Sequence, residues 1–103
     1  MQNVHVYRAA KEGFYLGPHY KTENPIPAVV VRDCLAQRCL WDGFQCGNTE
    51  WLDMADCEFR SNGLENKWGQ DLDIRLNPGT KGKMARVKFN SFKSDEGFTI
   101  YNK

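Results

Sequence analysis

The chain has 103 residues, of which 41% are hydrophobic, 26% charged and 13% aromatic, with a formal net charge of +1. These values describe one globular domain, and they argue against a disordered tail, a membrane helix of ~20 apolar residues and a strongly basic nucleic-acid binder. The charge is segregated: Asp33 to Asp73 holds nine acids against three bases, and Lys81 to Lys103 six bases against two acids, a polarity that can orient a partner during encounter.

The opening Met1-Gln2-Asn3-Val4-His5 runs straight into strand-like sequence, as expected of a mature domain whose leader is replaced by a start codon, or of a cytosolic protein. Val4-His5-Val6-Tyr7 alternates, and Phe14-Tyr15-Leu16 follows a break at Gly13, predicting two short strands. The polar stretch Lys21 to Pro27 carries two prolines and reads as a loop or crossover. Ala28-Val29-Val30-Val31 is an uninterrupted apolar run, which predicts a strand covered on both faces. Asn48 or Thr49 could cap a short helix through Trp51, Leu52 and Ala55. The alternation of Ala55, Cys57 and Phe59 with charged neighbours then predicts a strand.

Further on, Leu72, Ile74 and Leu76 share one face, with Asp71, Asp73 and Arg75 on the other. Asn77-Pro78-Gly79-Thr80 supplies turn chemistry. In the next strand Ala85, Val87 and Phe89 are expected inward, and Arg86, Lys88 and Asn90 outward. A second turn, Ser94 to Gly97, leads to Phe98 and Ile100. These three strands are expected to form an antiparallel meander with one wet face. No internal repeat or linker is read. The expected fold is mainly β: one domain over residues 1–103, an antiparallel β-sandwich of jelly-roll or cupin-like form with one or two short helices.

Residues able to carry chemistry are sparse. Cys34, Cys39, Cys46 and Cys57 lack the C-x2-C pairs of zinc sites, and could form disulfides in any of three pairings or remain buried thiols. His5 and His19 are the only histidines, and no Gly-x-Ser-x-Gly elbow, phosphate loop or His-Glu-x-x-His occurs. The carboxylate pairs Asp71/Asp73 and Asp53/Asp56 read as solubilising. Lys81, Lys83, Arg86 and Lys88 line one expected hairpin with Phe92 and Tyr101 nearby, the ingredients of single-strand binding opposed by the low total charge. From Pro78-Gly79 through Arg86-Val87-Lys88-Phe89-Asn90 to Tyr101 the sequence resembles the closing strands of microbial guanyl-specific ribonucleases. Arg86 takes the place of that family's arginine, but Tyr101 stands where its histidine should be, so an active ribonuclease is not expected. Trp41, Trp51 and Trp68 are candidates for a sugar-binding platform.

Read from Val4-His5-Val6-Tyr7-Arg8 to Gly97-Phe98-Thr99-Ile100-Tyr101, with its clustered cysteines, the chain resembles a small secreted avirulence effector of a rust fungus. That resemblance implies a protein that acts by binding and not by catalysis; separately, the chain is expected to be a monomer without cofactor or metal. The resemblance also implies secretion by the pathogen, entry into host cytoplasm, binding of a host protein and detection by a plant intracellular immune receptor. Recognition is then expected on exposed loops and strand faces, here Arg86, Lys88 and the turn containing Phe92, Lys93, Asp95 and Glu96. A carbohydrate-binding β-sandwich or a catalytically dead ribonuclease-like protein are the alternatives.

Overall fold

In the computed structural model the described residues are 1–18, 20–65, 72–94 and 98–101, with the side chains of Thr99 and Tyr101 excepted. Ten strands follow in chain order: β1 His5–Tyr7, β2 Phe14–Leu16, β3 Val29–Arg32, β4 Leu35–Gln37, β5 Phe44–Cys46, β6 Leu52–Arg60, β7 Ile74–Leu76, β8 Gly82–Lys88, β9 Phe92–Ser94 and β10 Thr99–Tyr101. The described residues contain no helix, and the segment expected to begin one after Asn48 instead enters β6, the longest strand.

Every strand pair is parallel. One sheet runs β1-β4-β6-β8-β10 with β3 also on β6, and the other runs β2-β5-β7-β9. The chain therefore winds as a parallel β-solenoid, each rung laid on the one before. This corrects the expected antiparallel sandwich. The strands around Asn77-Pro78-Gly79-Thr80 do not pair with each other: β7 lies between β5 and β9, while β8 lies between β6 and β10. The turn residues make a corner between sheets, not a hairpin.

A repeat underlies the winding, against the expectation of none. Gly13-Phe14-Tyr15-Leu16-Gly17 recurs 30 positions later as Gly43-Phe44-Gln45-Cys46-Gly47, and Phe14 stands opposite Phe44 in the sheet. Phe44 in turn stands opposite Ile74 at the same spacing. Elsewhere a rung is shorter: Val29 faces Leu52, 23 positions on. The return from Leu16 to Val29 is longer than that from Cys46 to Leu52 because it carries the proline loop, so the period stretches there. That loop is clamped by Asn48, whose Nδ2 donates to Thr22 Oγ1 at 2.6 Å while its Oδ1 accepts Thr22 N–H at 3.0 Å.

Corners are made by residues in the left-handed region, stacked rung upon rung. Asn3, Asp33, Asp56 and Arg86 have φ of 55°, 52°, 55° and 54°. Arg8, Arg38 and Ser61 repeat the device at 55°, 58° and 56°. Asn and Asp tolerate this region better than other non-glycine residues, at a penalty of about 1 kcal/mol. The bend also shifts the phase of alternation. In β6, Leu52 and Met54 point inward before Asp56, and Cys57 and Phe59 after it. In β8 Met84, not Ala85, is the inward residue before Arg86, and Val87 follows it. The valine run of β3 is covered on one face alone, since Val31 is buried while Val30 is 49% exposed.

The core consists of columns running along the axis. Phe14, Phe44, Ile74 and Phe92 are in register, and Val31, Met54 and Met84 form a second buried column, with the exposed Ile100 in register at its end. Phe59 joins the first column from the other sheet, 5.6 Å from Phe44 and 6.3 Å from Phe14 between ring centroids.

Asp73, expected on a wet face, is buried. Its Oδ1 accepts the Asn62 backbone N–H at 3.1 Å and Asn62 Nδ2 at 3.0 Å, and its Oδ2 accepts Asn90 N–H at 2.9 Å. Asn62 also holds Cys39 N–H and the Ala36 carbonyl, so one polar cluster ties three successive rungs. Asp73→Ala leaves these donors without an acceptor and is expected to lower stability by about 3 kcal/mol, read as a lower urea midpoint with an unchanged m-value. Asp73→Asn, which keeps one acceptor oxygen, is expected to lose less.

Candidate functional site

The sheet that bends at Asp33 and Asp56 carries a shallow groove along the outside of the corner. Its rim is built from two columns. The first is the corner itself: Asn3, Asp33, Asp56 and Arg86. The second follows from strand register, with His5 opposite Leu35, Leu35 opposite Glu58 and Glu58 opposite Lys88. Strand neighbours are about 4.8 Å apart, so each side chain has a fixed place relative to the next rung. Cys34 and Cys57, 2% and 4% exposed, lie beneath these columns.

The charges are partly paired. Arg86 grips Asp56 with two bonds, Nε to Oδ1 and Nη2 to Oδ2, the latter 3.0 Å. Hydrogen bonding to Arg86 holds the Asp56 carboxyl below the usual range, and the same contact raises the Arg86 guanidinium. Glu58 meets Arg60 at 3.5 Å and faces Lys88 across the strands. A solenoid stacks its segments in sequence order. The segregation of acids and bases along the chain therefore becomes a polarity along the axis, with Asp33, Asp56 and Glu58 on the middle rungs and Arg86 and Lys88 on the next.

The structure divides the expected partner-binding residues. Arg86 and Lys88 flank the groove. Lys93 is exposed on β9, in the other sheet, in the column of Tyr15, Gln45 and Arg75. Phe92 does not protrude: it is half-buried between Phe89 at 5.4 Å and Phe98 at 6.3 Å, covering the end of the core. Residues 92–94 are strand, not turn. Asp95, Glu96, His19, Trp68 and Asp71 lie outside the described residues.

Asp53 and Asp56 do not form a carboxylate pair, since Asp53 bonds Arg32 at 2.9 Å and Asp56 bonds Arg86. Trp41 is half-buried under the Lys11 ammonium, 5.5 Å from its ring centroid, and Trp51 is exposed at another corner, so the two share no platform. All four cysteines are free and buried. Burial pushes the Cys39 and Cys46 thiols up, and Cys57 up to about 11. Among the described residues no three His, Cys, Asp or Glu side chains converge to hold a metal.

His5, Asp33, Asp56 and Glu58 are the groove residues that sequence reading did not assemble. Their signal was spacing: Asn3 to Asp33, Asp56 to Arg86 and Glu58 to Lys88 are each 30 apart, and Asp33 to Asp56 is 23. Comparison of the chain with protein-family models, curated proteins and solved structures returns no match.

Proposed function

We propose that this chain is a non-enzymatic binding protein of the secreted-effector type, which engages a host protein through the charged corner groove. The reading is supported by one observation above all. Acidic and basic side chains are fixed in register on adjacent rungs of a sheet, where holding them for a partner costs little additional ordering. Such an arrangement suits recognition of a protein surface of complementary polarity, basic opposite Asp33 and Glu58 and acidic opposite Lys88. Four unlinked cysteines inside the core are compatible with service in a reducing host cytoplasm, because the fold then stands without disulfides.

The test exploits register. Glu58 and Lys88 are direct neighbours, so the double exchange Glu58→Lys with Lys88→Glu keeps their attraction and inverts the polarity of the groove. The exchange also gives up the exposed Glu58–Arg60 contact, a loss of about 1 kcal/mol at most, so the exchanged protein is expected to unfold close to the wild-type urea concentration. Immobilised wild-type chain is expected to retain a leaf protein at physiological salt, and the exchanged chain to retain it at least about tenfold less, the loss that follows when close interfacial charge pairs are disrupted. Equal retention by both overturns the groove assignment. Failure of the wild type to retain any leaf protein overturns the binding reading.

A further inference from the structure

We propose that Cys34 and Cys57 are a redox site: they join as a disulfide linking two adjacent rungs beneath the groove, while Cys39 and Cys46 stay thiols. Rung register carries the argument. Offset by 23 positions, as Leu35 is from Glu58 and Arg32 from Ala55, Cys34 stacks on Cys57. The neighbours of the other cysteines differ. Cys46 stands between Leu16 and Leu76. Cys39 follows the second corner, where its N–H donates to Asn62 Oδ1 at 3.0 Å and the adjoining rung contributes Ala9. The far side of Cys57 is Val87. Among the four cysteines this leaves one pair on consecutive rungs.

The local geometry agrees. Parallel strand neighbours are separated by about 4.8 Å, inside the range of Cα separations that a disulfide spans. The two side chains are arranged alike, each thiol 3.2 Å from the carbonyl two residues earlier, Arg32 for Cys34 and Ala55 for Cys57. The Cys57 sulfur already leans toward the preceding rung, accepting the Cys34 backbone N–H at 3.5 Å. Forming the bond needs rotation of these side chains and a local approach of the two rungs by a few tenths of an ångström, since a disulfide holds its Cβ atoms at about 3.5–4.5 Å, but no change of strand register.

The step is a two-electron exchange with a low-molecular-weight disulfide such as oxidised glutathione. One thiolate attacks the glutathione disulfide, giving a mixed disulfide and releasing one glutathione thiol. The second cysteine then attacks the mixed disulfide at the protein sulfur and expels the second glutathione. Both protein thiols lose their protons, the protein is oxidised by two electrons, and one glutathione disulfide becomes two thiols. The reverse exchange opens the bond in a reducing compartment.

The experiment incubates the full chain with excess oxidised glutathione, unfolds it in the presence of an alkylating agent, and reads intact mass and non-reduced peptides. The expected product carries alkyl groups on Cys39 and Cys46 and one linked pair of peptides containing Cys34 and Cys57. It is also expected to melt higher than the reduced chain, because the bond closes a loop in the unfolded state. Cys39→Ser and Cys46→Ser variants are expected to form the same bond, and Cys34→Ser to form none. Alkylation of all four cysteines, a link involving Cys39 or Cys46, or a mixed glutathione disulfide as the end product each overturns the assignment. The peptide map on wild-type protein decides the matter even where a serine variant does not fold.

Discussion

Phe44→Ala is expected to lower the stability of the folded chain by about 4 kcal/mol, within the range for removing a buried phenylalanine. Phe44 has no solvent exposure and sits on a middle rung, with Phe14 on one side and Ile74 on the other. Its ring contacts Phe14 at 6.2 Å and Phe59 at 5.6 Å, so truncation opens a cavity facing both sheets. A domain of this size has a total stability of about 5–15 kcal/mol, and the loss takes up much of it. Phe92→Ala, in the same column but half-buried at the end, is expected to lose clearly less. Urea midpoints of the two variants test the solenoid directly. Equal losses would contradict a core in which rung position sets burial.

Gly47→Ala is the second large effect, and its cause is backbone proximity. A Cβ on residue 47 would lie 1.7 Å from the Pro18 carbonyl oxygen and 3.2 Å from Asn77 Cβ. The obstacle is backbone of the adjoining rung, which cannot rotate away as a long side chain can. Either the rungs separate at that corner, breaking the 2.8 Å bond from Gly47 N–H to the Leu16 carbonyl, or the corner rebuilds. The expected loss is about 3 kcal/mol or more, beyond ordinary overpacking, seen as a lower melting temperature. Amide exchange is expected to speed up most at Gly47 and its neighbours, since the damage is local to one corner. Wild-type stability in this variant would show that the first and second rungs do not approach as closely as described.

These two residues also show what a reader of the sequence could have seen. Gly13-Phe14 and Gly43-Phe44, each closed by a second glycine, form a visible repeat at 30 residues, and a fixed period of that length is the mark of stacked units. The longer loop between Leu16 and Val29, and the replacement of the motif by Asp73-Ile74-Arg75-Leu76-Asn77 on the third rung, hide the repeat from inspection by eye. Asp73 is a similar case. Its acidic side chain suggested water, and its burial is intelligible once Asn62 and Asn90 arrive from distant positions to satisfy it. The groove was half visible: Arg86 and Lys88 were read as outward, but Asp33, Asp56 and Glu58 could join them only through the stacking.

By itself, the sequence determined that this chain is built of short strands, where most of them lie, that Lys21 to Pro27 is a loop, that Asn77 to Thr80 turns the chain, and that acids and bases occupy different stretches. Each of these follows from local chemistry: alternation, proline geometry, turn residues and charge. The tertiary structure decided the direction and partner of every strand, the phase shift at the left-handed corners, and the assembly of distant charges into one groove. Alternation with a period of two states which side of a strand faces the core, and it is the same for parallel and antiparallel neighbours. Partner and direction depend on groups 16 to 30 residues away meeting in space, and no local preference encodes that meeting.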